Sequence, residues 1–374
     1  MAEQQLLLAL LASSMLAVVL SWRTSPRAQS WLVAACGVGL LATTAPLSLM
    51  VLVFAALLTF ALGAGSGDKT YRSAAGIALV AAAFLGFMLN SEPSSAGIET
   101  RIALPLGLAF YSLRLIHYLF ESHKGSLRPH GFDEYVAYLF LPGALPVGPI
   151  HRFDEFLRDW RRRRWDAVQF SGGAERVLYG LVKLIVLGNY LIGSVLVEWI
   201  GPVTEESSLA VHYLSAVTFW LRLYIVFGGY SDIAVGSAAM MGLTIRENFH
   251  WPMVARNIAD FWRRWHISLS SWCRDYVFTP VLAATRSPMI SVLAAMIVLG
   301  LWHEISLRYL LWGAYHGTGI AVFRRFDAHA GATIDRLPPW TAKVWRIAAT
   351  TLTLHFVIFS FQVTHALERL ITGR

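Results

Sequence analysis

The stretch FWRRWHISLSSWCRDY (261–276) mixes ionisable side chains with aromatic rings in a chain that is mostly apolar. Ionisable groups inside a membrane are costly, so they mark a functional site unless packing explains them. His266 can exchange a proton near neutral pH, and arginine guanidiniums match phosphate geometry. The predicted binding residues of this stretch are Trp262, Arg263, Arg264, Trp265, Ser268, Ser270, Arg274 and Asp275.

A second polar group lies in LGLWHEISLRYLLWGAYHG (299–317), where His303 and Glu304 end one apolar run and His316 falls within the next. A single histidine near a helix end is often only structural. Three features favour a functional role for His303. Trp302 and an acid flank it, apolar runs lie on both sides, and the polar stretch around His266 precedes it.

A third cluster combines GGYSDIAVG (228–236) with IRENFHWP (245–252). The glycines allow the backbone to approach other helices or a ligand. Because the cluster is too short and polar for a clear membrane span, we expect it to be buried but irregular. The candidate binding residues here are Tyr230, Ser231, Asp232 and Asn248.

The composition indicates whether these polar groups belong to a soluble protein or to a membrane protein. The chain has 374 residues, 56% hydrophobic and 14% charged, with a mean hydropathy of +0.53. Soluble domains carry roughly 25% charged residues, so this is an integral membrane protein. Its formal charge of +8 is attributed to loops on the cytoplasmic side rather than to nucleic-acid binding. The two cysteines give neither a disulfide framework nor a metal-site spacing, and no metal is expected.

The apolar runs predict an all-α, polytopic bundle with about ten spans, with re-entrant and interfacial helices in addition. Basic residues at Arg23 and Arg27, at Lys69 and Arg72, at 123–128 and at 158–165 predict cytoplasmic loops, which leaves the loops 91–100 and 201–208 outside. The predicted spans are 4–22, 30–45, 47–63, 73–90, 102–120, 174–200, 209–227, 288–303, 307–323 and 345–366.

The segment LFLPGALPVGPIHRF (139–153) does not fit an ordinary span. Its prolines and glycines break helical hydrogen bonding, and a broken backbone is tolerated at membrane depth only inside protein or beside water. A full span at 134–152 would also move the arginines that follow to the wrong side. We therefore predict a re-entrant segment over 134–152, with a kinked ordinary span as the alternative.

Residues 261–276, placed on one continuous helix, sort into an aromatic stripe and a polar stripe. Such a helix suits the membrane interface or the wall of a wet cavity. An interfacial helix explains the stripes but gives no reason for His266 at their border. For the arginines, anchoring to lipid headgroups and contact with the phosphates of a bound ligand remain equal alternatives.

Taken together, GGYSDIAVGSAAMMGLTIRENFHWP, ADFWRRWHISLSSWCRDYVFTPV and LGLWHEISLRYLLWGAYHG resemble the membrane-bound O-acyltransferase family, and most of all its bacterial branch that modifies alginate and teichoic acid. The resemblance is close over about 228–320 and looser upstream. It implies one membrane domain over 1–374, with a family core at about 101–323. Glu304 departs from the glycine that usually follows the family histidine.

The resemblance implies a helical bundle around a tunnel, with donor and acceptor arriving from opposite sides. By position, His303 matches the essential family histidine and His266 a second polar position of the family, so both are predicted to be catalytic, with Trp302 as a binding residue. An imidazole can accept the proton of an attacking hydroxyl. His266 would hold the donor or stabilise charge on the carbonyl oxygen. A covalent acyl-enzyme on Ser268, Ser270 or Cys273 stays open.

The expected function is transfer of an acyl group, with acetyl favoured, from a cytoplasmic thioester to a hydroxyl of an envelope polysaccharide or peptidoglycan. The expected donor is acetyl-coenzyme A or an acyl-phosphopantetheine carrier protein, with no permanently bound cofactor. Membrane lipid and an extracytoplasmic transfer protein are expected partners, and the bacterial inner membrane is the expected location. D-alanyl transfer to teichoic acid and a non-catalytic transporter or scaffold are the alternatives. Lipase-type, zinc-peptidase and P-loop motifs are missing from the sequence.

Overall fold

The computed structural model describes residues 2–64, 69–90, 105–204 and 207–373. Within these ranges the chain is helical, and the β structure is limited to an isolated bridge between Phe249 and Trp265. The predicted all-α class is therefore confirmed. The predicted loop at 91–100, the first residues of the span at 102–120 and the Lys69 side chain lie outside what is described.

Proline and polar caps set where many helices begin. Proline is tolerated in the first helical turn, where its missing N–H has no partner to lose, and Asp166, Asn257, Ser287 and Ser306 accept backbone N–H bonds as N-caps. In chain order the helices are α1 (Ala2–Leu20), α2 (Pro26–Thr44), α3 (Pro46–Ala64), α4 (Lys69–Asn90), α5 (Pro105–Lys124), α6 (Phe132–Leu139), α7 (Phe153–Arg162), α8 (Ala167–Ile200), α9 (Leu209–Met240), α10 (Ile258–Arg264), α11 (Ile267–Cys273), α12 (Thr279–Thr285), α13 (Pro288–His303), α14 (Leu307–Ile334), α15 (Pro339–Ile358) and α16 (Ser360–Thr372).

Four of the described helices are long and apolar enough to cross a membrane, namely α3, α4, α8 and α9. The bent pair α15 and α16, which meet at 47°, makes a fifth candidate if it is counted as one span. Helices α1 and α13 are apolar but shorter. A multi-pass membrane protein is consistent with this architecture, whereas the count of ten spans stays a prediction.

The chain forms two compact units. The first comprises Met1–Gly188 and Ile225–Arg246, and the second comprises Asn189–Tyr224 and Glu247–Arg374. In the first unit α5 packs on α3 and α4, while α2 packs on α1, α3 and α6. In the second unit α13 packs against α14, which also contacts α10 and α16. The expectation of a single domain stays a prediction.

The predicted re-entrant segment is broken as its prolines required. Helix α6 ends at Leu139, a short 3₁₀ turn spans Pro142–Ala144, and irregular chain continues to the start of α7. Residues 135–145 are all buried. Protein therefore surrounds the irregular backbone, which is the condition for keeping it at membrane depth. The side on which this segment enters stays a prediction.

The expectation that the third cluster is buried but irregular is confirmed only in part. Residues 245–252 are irregular but only partly buried, whereas residues 228–236 are buried but helical. These residues lie inside α9, a continuous helix. A side chain on Gly236 would come within 2.6 Å of the Gly173 carbonyl oxygen, and one on Gly229 within 2.9 Å of that of Gly180. The glycines therefore permit close packing of two regular helices. They do not unwind the chain.

The prediction of one continuous helix through 261–276 is also wrong. Helix α10 ends at Arg264, Trp265 is extended, and His266 adopts a left-handed backbone with φ of 45° before α11 begins. The neighbouring strand-like segment explains the break. The His250 amide donates to the Arg264 carbonyl and the Ile267 amide to the Asn248 carbonyl, both at 2.9 Å. The single polar stripe and single aromatic stripe therefore do not exist.

Candidate active site

His303 is placed by close packing of two helices. It is the last residue of α13, and Ser306 caps α14 three residues later. A side chain on Gly300 would meet the Tyr309 carbonyl oxygen at 2.3 Å, and one on Gly313 would meet that of Met296 at 2.5 Å. Because these glycines carry no side chain, the end of α13 lies directly against the first turns of α14.

Aromatic rings surround the His303 imidazole on several sides. Its ring centroid lies 4.8 Å from that of Trp302, 5.7 Å from Tyr309 and 5.8 Å from Trp312. His303 nevertheless keeps exposed surface. His303 is therefore exposed as a residue, while the rings pack around its imidazole and restrict its orientation.

His266 reaches the same indole from another element. Its side chain is buried, at 3% exposure, and its ring centroid lies 5.9 Å from that of Trp302. Burial, assisted by repulsion from His303, holds the pKa of His266 well below its ordinary value. A neutral imidazole carries one N–H donor and one acceptor nitrogen. Trp302 thus lies between one buried, neutral histidine and one accessible histidine.

The left-handed turn at His266 is held by hydrogen bonds from the predicted binding residues. Asn248 is fully buried and accepts a 2.6 Å bond from the Ser268 hydroxyl. The Ser270 hydroxyl donates to the Trp265 carbonyl at 3.2 Å. Cys273 is buried and forms no disulfide. These contacts give Asn248, Ser268 and Ser270 structural tasks at the turn.

The three predicted phosphate-binding arginines differ in exposure. Arg264 is the most enclosed and pairs with Asp260 at 3.0 Å. Arg263 and Arg274 expose 72% and 65% of their side chains, respectively. Arg274 pairs with Asp275 at 2.9 Å. Arg263 and Arg274 are therefore open to an anionic group, whereas Arg264 is committed to the fold.

Two of the three predicted tryptophans, Trp262 and Trp265, belong to different aromatic clusters. Trp262 is buried and lies 5.8 Å from Trp312 and 5.3 Å from His316, between ring centroids. Trp265 instead packs on rings outside the histidine site. Its ring neighbours are Trp220, Tyr224, Phe249 and Phe261.

On α14 the sequence analysis noted His316 but missed Tyr309 and Trp312. Tyr309, Trp312 and His316 recur at the three- and four-residue spacing that puts side chains on one helix face, and that spacing after the Ser306 cap was the available signal. His316 is fully buried, and neither of its ring nitrogens has a hydrogen-bond partner among the described residues. Those residues contain no group of three potential metal ligands.

Tyr230, Ser231 and Asp232 belong to the first compact unit. All three are buried on α9. Asp232 accepts from Arg176 Nε at 3.0 Å and from Lys183 Nζ at 2.5 Å. The structure thus brings Asp232 together with two cations of α8 that the sequence had not connected to it.

A sequence model described as the membrane-bound O-acyltransferase family matches residues 47–364. This chain belongs to that family. The family resemblance inferred from the three motifs is therefore confirmed, and the match extends well upstream of the stretch where that resemblance was close.

Three of the relatives are named for alginate, teichoic acid and peptidoglycan. The probable alginate O-acetylase AlgI of Pseudomonas aeruginosa is 31% identical over 281 residues, which cover 72% of this chain and 52% of that protein. The teichoic acid D-alanyltransferase of Bacillus subtilis is 28% identical over 276 residues, which cover 69% of this chain and 68% of that protein. The peptidoglycan O-acetyltransferase of Helicobacter pylori is 24% identical over 69% of this chain and 54% of that protein. The chain spans about half the length of the alginate relatives it matches.

Proposed function

We propose that this protein is an envelope O-acyltransferase that moves an acetyl group from a thioester donor to a hydroxyl of a polysaccharide or of peptidoglycan. The observation that carries the proposal is the pair of imidazoles flanking Trp302, one buried and neutral and one accessible. Family membership and the names of the acetyl-transferring relatives support the same reaction.

His303 is assigned the role of general base. Its neutral nitrogen takes the proton of the acceptor hydroxyl as the hydroxyl oxygen attacks the thioester carbonyl carbon. The new carbon–oxygen bond gives a tetrahedral oxyanion. The carbon–sulfur bond then breaks, and the departing thiolate receives the proton from the His303 imidazolium. The products are an ester and a free thiol, so protons and electrons balance.

His266 is assigned a hydrogen-bonding role toward that oxyanion. A neutral imidazole in a site shielded from water can donate one N–H without first losing a hydration shell. The bonds from Asn248 to the chain around His266 hold its backbone turn in place. Preorganisation of this kind is what makes a single donor effective in acyl transfer.

The donor is proposed to be acetyl-coenzyme A or an acyl-phosphopantetheine carrier protein, whose phosphates suit the exposed guanidiniums of Arg263 and Arg274. The proposed location is the bacterial inner membrane, with donor entry from the cytoplasm. Transfer to the polymer is proposed to be either direct or completed by a separate extracytoplasmic protein. A multi-pass membrane enzyme would connect the donor on the cytoplasmic side with the acceptor on the opposite side of the membrane.

D-alanyl transfer is the second candidate, and one observation favours it. The match covers 68% of the Bacillus subtilis D-alanyltransferase, a larger share than the 52% of the alginate protein. In that reaction the same base would act on a D-alanyl thioester of a carrier protein. A transporter or scaffold that catalyses nothing is the third candidate.

The test measures ester-linked acetate and D-alanine, released from the envelope by mild base, in cells with the intact protein, His303→Ala or no protein. We expect a fall of about 10²–10⁴-fold in one ester with His303→Ala, as for loss of a general base. The ester that falls identifies the group. His329→Ala, which removes an exposed histidine of α14, is the matched control.

Equal amounts of membrane-inserted protein are confirmed by quantitative blotting. Ester levels that stay normal with His303→Ala, but fall without the protein, would contradict catalysis. That result would support the transporter or scaffold.

A further inference from the structure

An ion cluster lies on the first unit, within helices that qualify as membrane spans. Arg176 and Lys183 of α8 both bind Asp232 of α9, at 3.0 Å and 2.5 Å. Ionisable residues in such helices are costly and rare unless they have a task. Two cations against one carboxylate leave a net positive charge.

The glycine pairs that join α8 and α9 bracket Arg176 and Asp232, and Lys183 follows three residues after Gly180. Gly173 packs on Gly236, and Gly180 packs on Gly229. The close approach buries Asp232, whose side chain is 12% exposed, while Arg176 and Lys183 keep 32% and 38% of theirs. The carboxylate is therefore enclosed, and the two cations are accessible from one side.

That side is an open groove of about 420 Å³. Asp232, Arg176 and Lys183 supply its charged lining, and the remaining lining is mainly apolar. Lys183 also stands at the start of the wide-turned segment Val182–Leu196, and π-type turns occur frequently at functional sites. The other lining residues are Gly172, Tyr179, Val182 and Leu187.

The residues around the groove indicate that it faces lipid. On the same helix, apolar side chains with 47–61% of their surface exposed surround it, in a segment that meets the criterion for a membrane span. Glu175 is exposed nearby and accepts a hydrogen bond from the Tyr179 hydroxyl, but it does not line the groove. These exposed apolar residues are Leu178, Tyr179, Val182, Ile185 and Val186.

We propose that this groove is a binding site for an anionic phospholipid, whose phosphate contacts Arg176 and Lys183 while an acyl chain lies along the apolar lining. Lys183 Nζ donates to Asp232 as its one hydrogen-bond partner among the described residues, so two N–H donors remain for phosphate oxygens. A phosphodiester carries one negative charge, which balances the cluster. The inference does not depend on the acyl-transfer reaction.

The test uses the full-length protein in mild detergent and counts bound lipid by native mass spectrometry. Phosphatidylglycerol and phosphatidylcholine are titrated separately, with glycerol 3-phosphate as a soluble competitor. We expect preferential binding of phosphatidylglycerol and a roughly fivefold loss of its affinity in Lys183→Gln, the effect of one cation near a phosphate surface. Lys343→Gln removes an exposed lysine of α15 and is the matched control.

Asp232→Asn provides a change of opposite sign. It raises the net charge of the groove by one, so the affinity for phosphatidylglycerol should rise. Equal binding of the two lipids by the unaltered protein would overturn the proposal without reference to any variant. Equal losses in Lys183→Gln and Lys343→Gln would also overturn it. Displacement of phosphatidylglycerol by glycerol 3-phosphate at similar concentrations would show that the site takes a soluble phosphate and not a lipid.

Discussion

The histidine site of the second unit and the ion cluster of the first unit keep polar groups away from water in different ways. At His266 the group is neutral, because burial lowers its pKa, and aromatic rings surround the site. At Asp232 the group is charged and paired with Arg176 and Lys183. Buried polar groups are tolerated when neutralised or when paired. A neutral imidazole can exchange protons, whereas a paired cluster with excess charge can hold an anion.

The largest effect should come from placing a permanent charge in the neutral site. His266→Arg puts a guanidinium, which cannot lose its proton, at a position with 3% exposure. The effective desolvation penalty is several kcal/mol per buried ion, so most of the folded protein should be lost. Recovery from the membrane as a monodisperse species and the thermal unfolding temperature measure this.

Lys183→Arg introduces the same guanidinium into the groove and serves as the comparison for His266→Arg. It keeps the charge at a side chain that is 38% exposed and already paired, so its recovery should match that of the unaltered protein. If His266→Arg were as stable as Lys183→Arg, the two regions would not differ in the way described.

An intermediate effect should appear as a pH dependence. The folded protein holds His266 with a pKa well below its ordinary value, whereas an unfolded histidine takes a proton near pH 6.5. Above pH 6.5 His266 is neutral in both states, so its titration does not lower the free energy of unfolding. Below pH 6.5 only the unfolded state binds the proton, so the free energy of unfolding falls until the pH reaches the folded-state pKa. Each pH unit between 6.5 and the folded-state pKa lowers the free energy of unfolding by at most about 1.4 kcal/mol.

His266→Asn removes this contribution while leaving the other buried histidines in place. Thermal unfolding curves of the two proteins at pH 5 and pH 7.5 should therefore show a smaller acid-induced fall in the variant. The same fall in both proteins would mean that His266 is protonated in the folded state.

The smallest effect should come from an ion pair nearer the surface. Arg161 donates to both carboxylate oxygens of Glu134, at 2.6 Å and 2.7 Å. Burial opposes ionisation of Glu134, but the bonds from Arg161 and the Gly131 amide outweigh it, so its pKa lies below the ordinary value. Glu134→Gln should cost less than about 1 kcal/mol in unfolding free energy, since the Arg161 side chain is 42% exposed.

The dependence of stability on salt distinguishes the Arg161–Glu134 pair from the Asp232 cluster. Unfolding measured at low and high ionic strength should show that the Glu134→Gln penalty shrinks with salt, because exposed charges are screened. A salt-independent penalty of several kcal/mol would place Glu134 with the buried ion pairs, and exposure would then not explain the contrast.

Much of the candidate site was predictable from short sequence motifs. Composition identified a membrane protein, and the pattern around His266 and His303 led to the family that the comparison confirms. The prolines and glycines of 139–153 predicted a broken, buried segment, as observed. These features are local, because they follow from residue type and spacing along a few turns of chain. The catalytic roles of His266 and His303 stay predictions.

The expectations that proved wrong required knowledge of distant neighbours. A helical period over 261–276 does not reveal that Asn248 and His250 bond to the backbone at 264–267 and break the helix at His266. The polar residues in 228–236 suggested irregular chain. They fit a regular helix because Asp232 pairs with cations that lie about fifty residues earlier, in α8, and the local sequence does not show this pairing. The place of Tyr309 and Trp312 beside His303 likewise depends on the packing of α14 against α13.

By itself, the sequence determined that this is a helical membrane protein, which family it belongs to and which two histidines we expect to react. Only the tertiary structure decided that His266 lies in a left-handed turn beside Trp302, that α9 continues unbroken and that Asp232 joins a charged groove. Residue type and spacing control local hydrogen bonding and which face is apolar. Hydrogen bonds, ring contacts and ion pairs between remote segments form only after the helices pack.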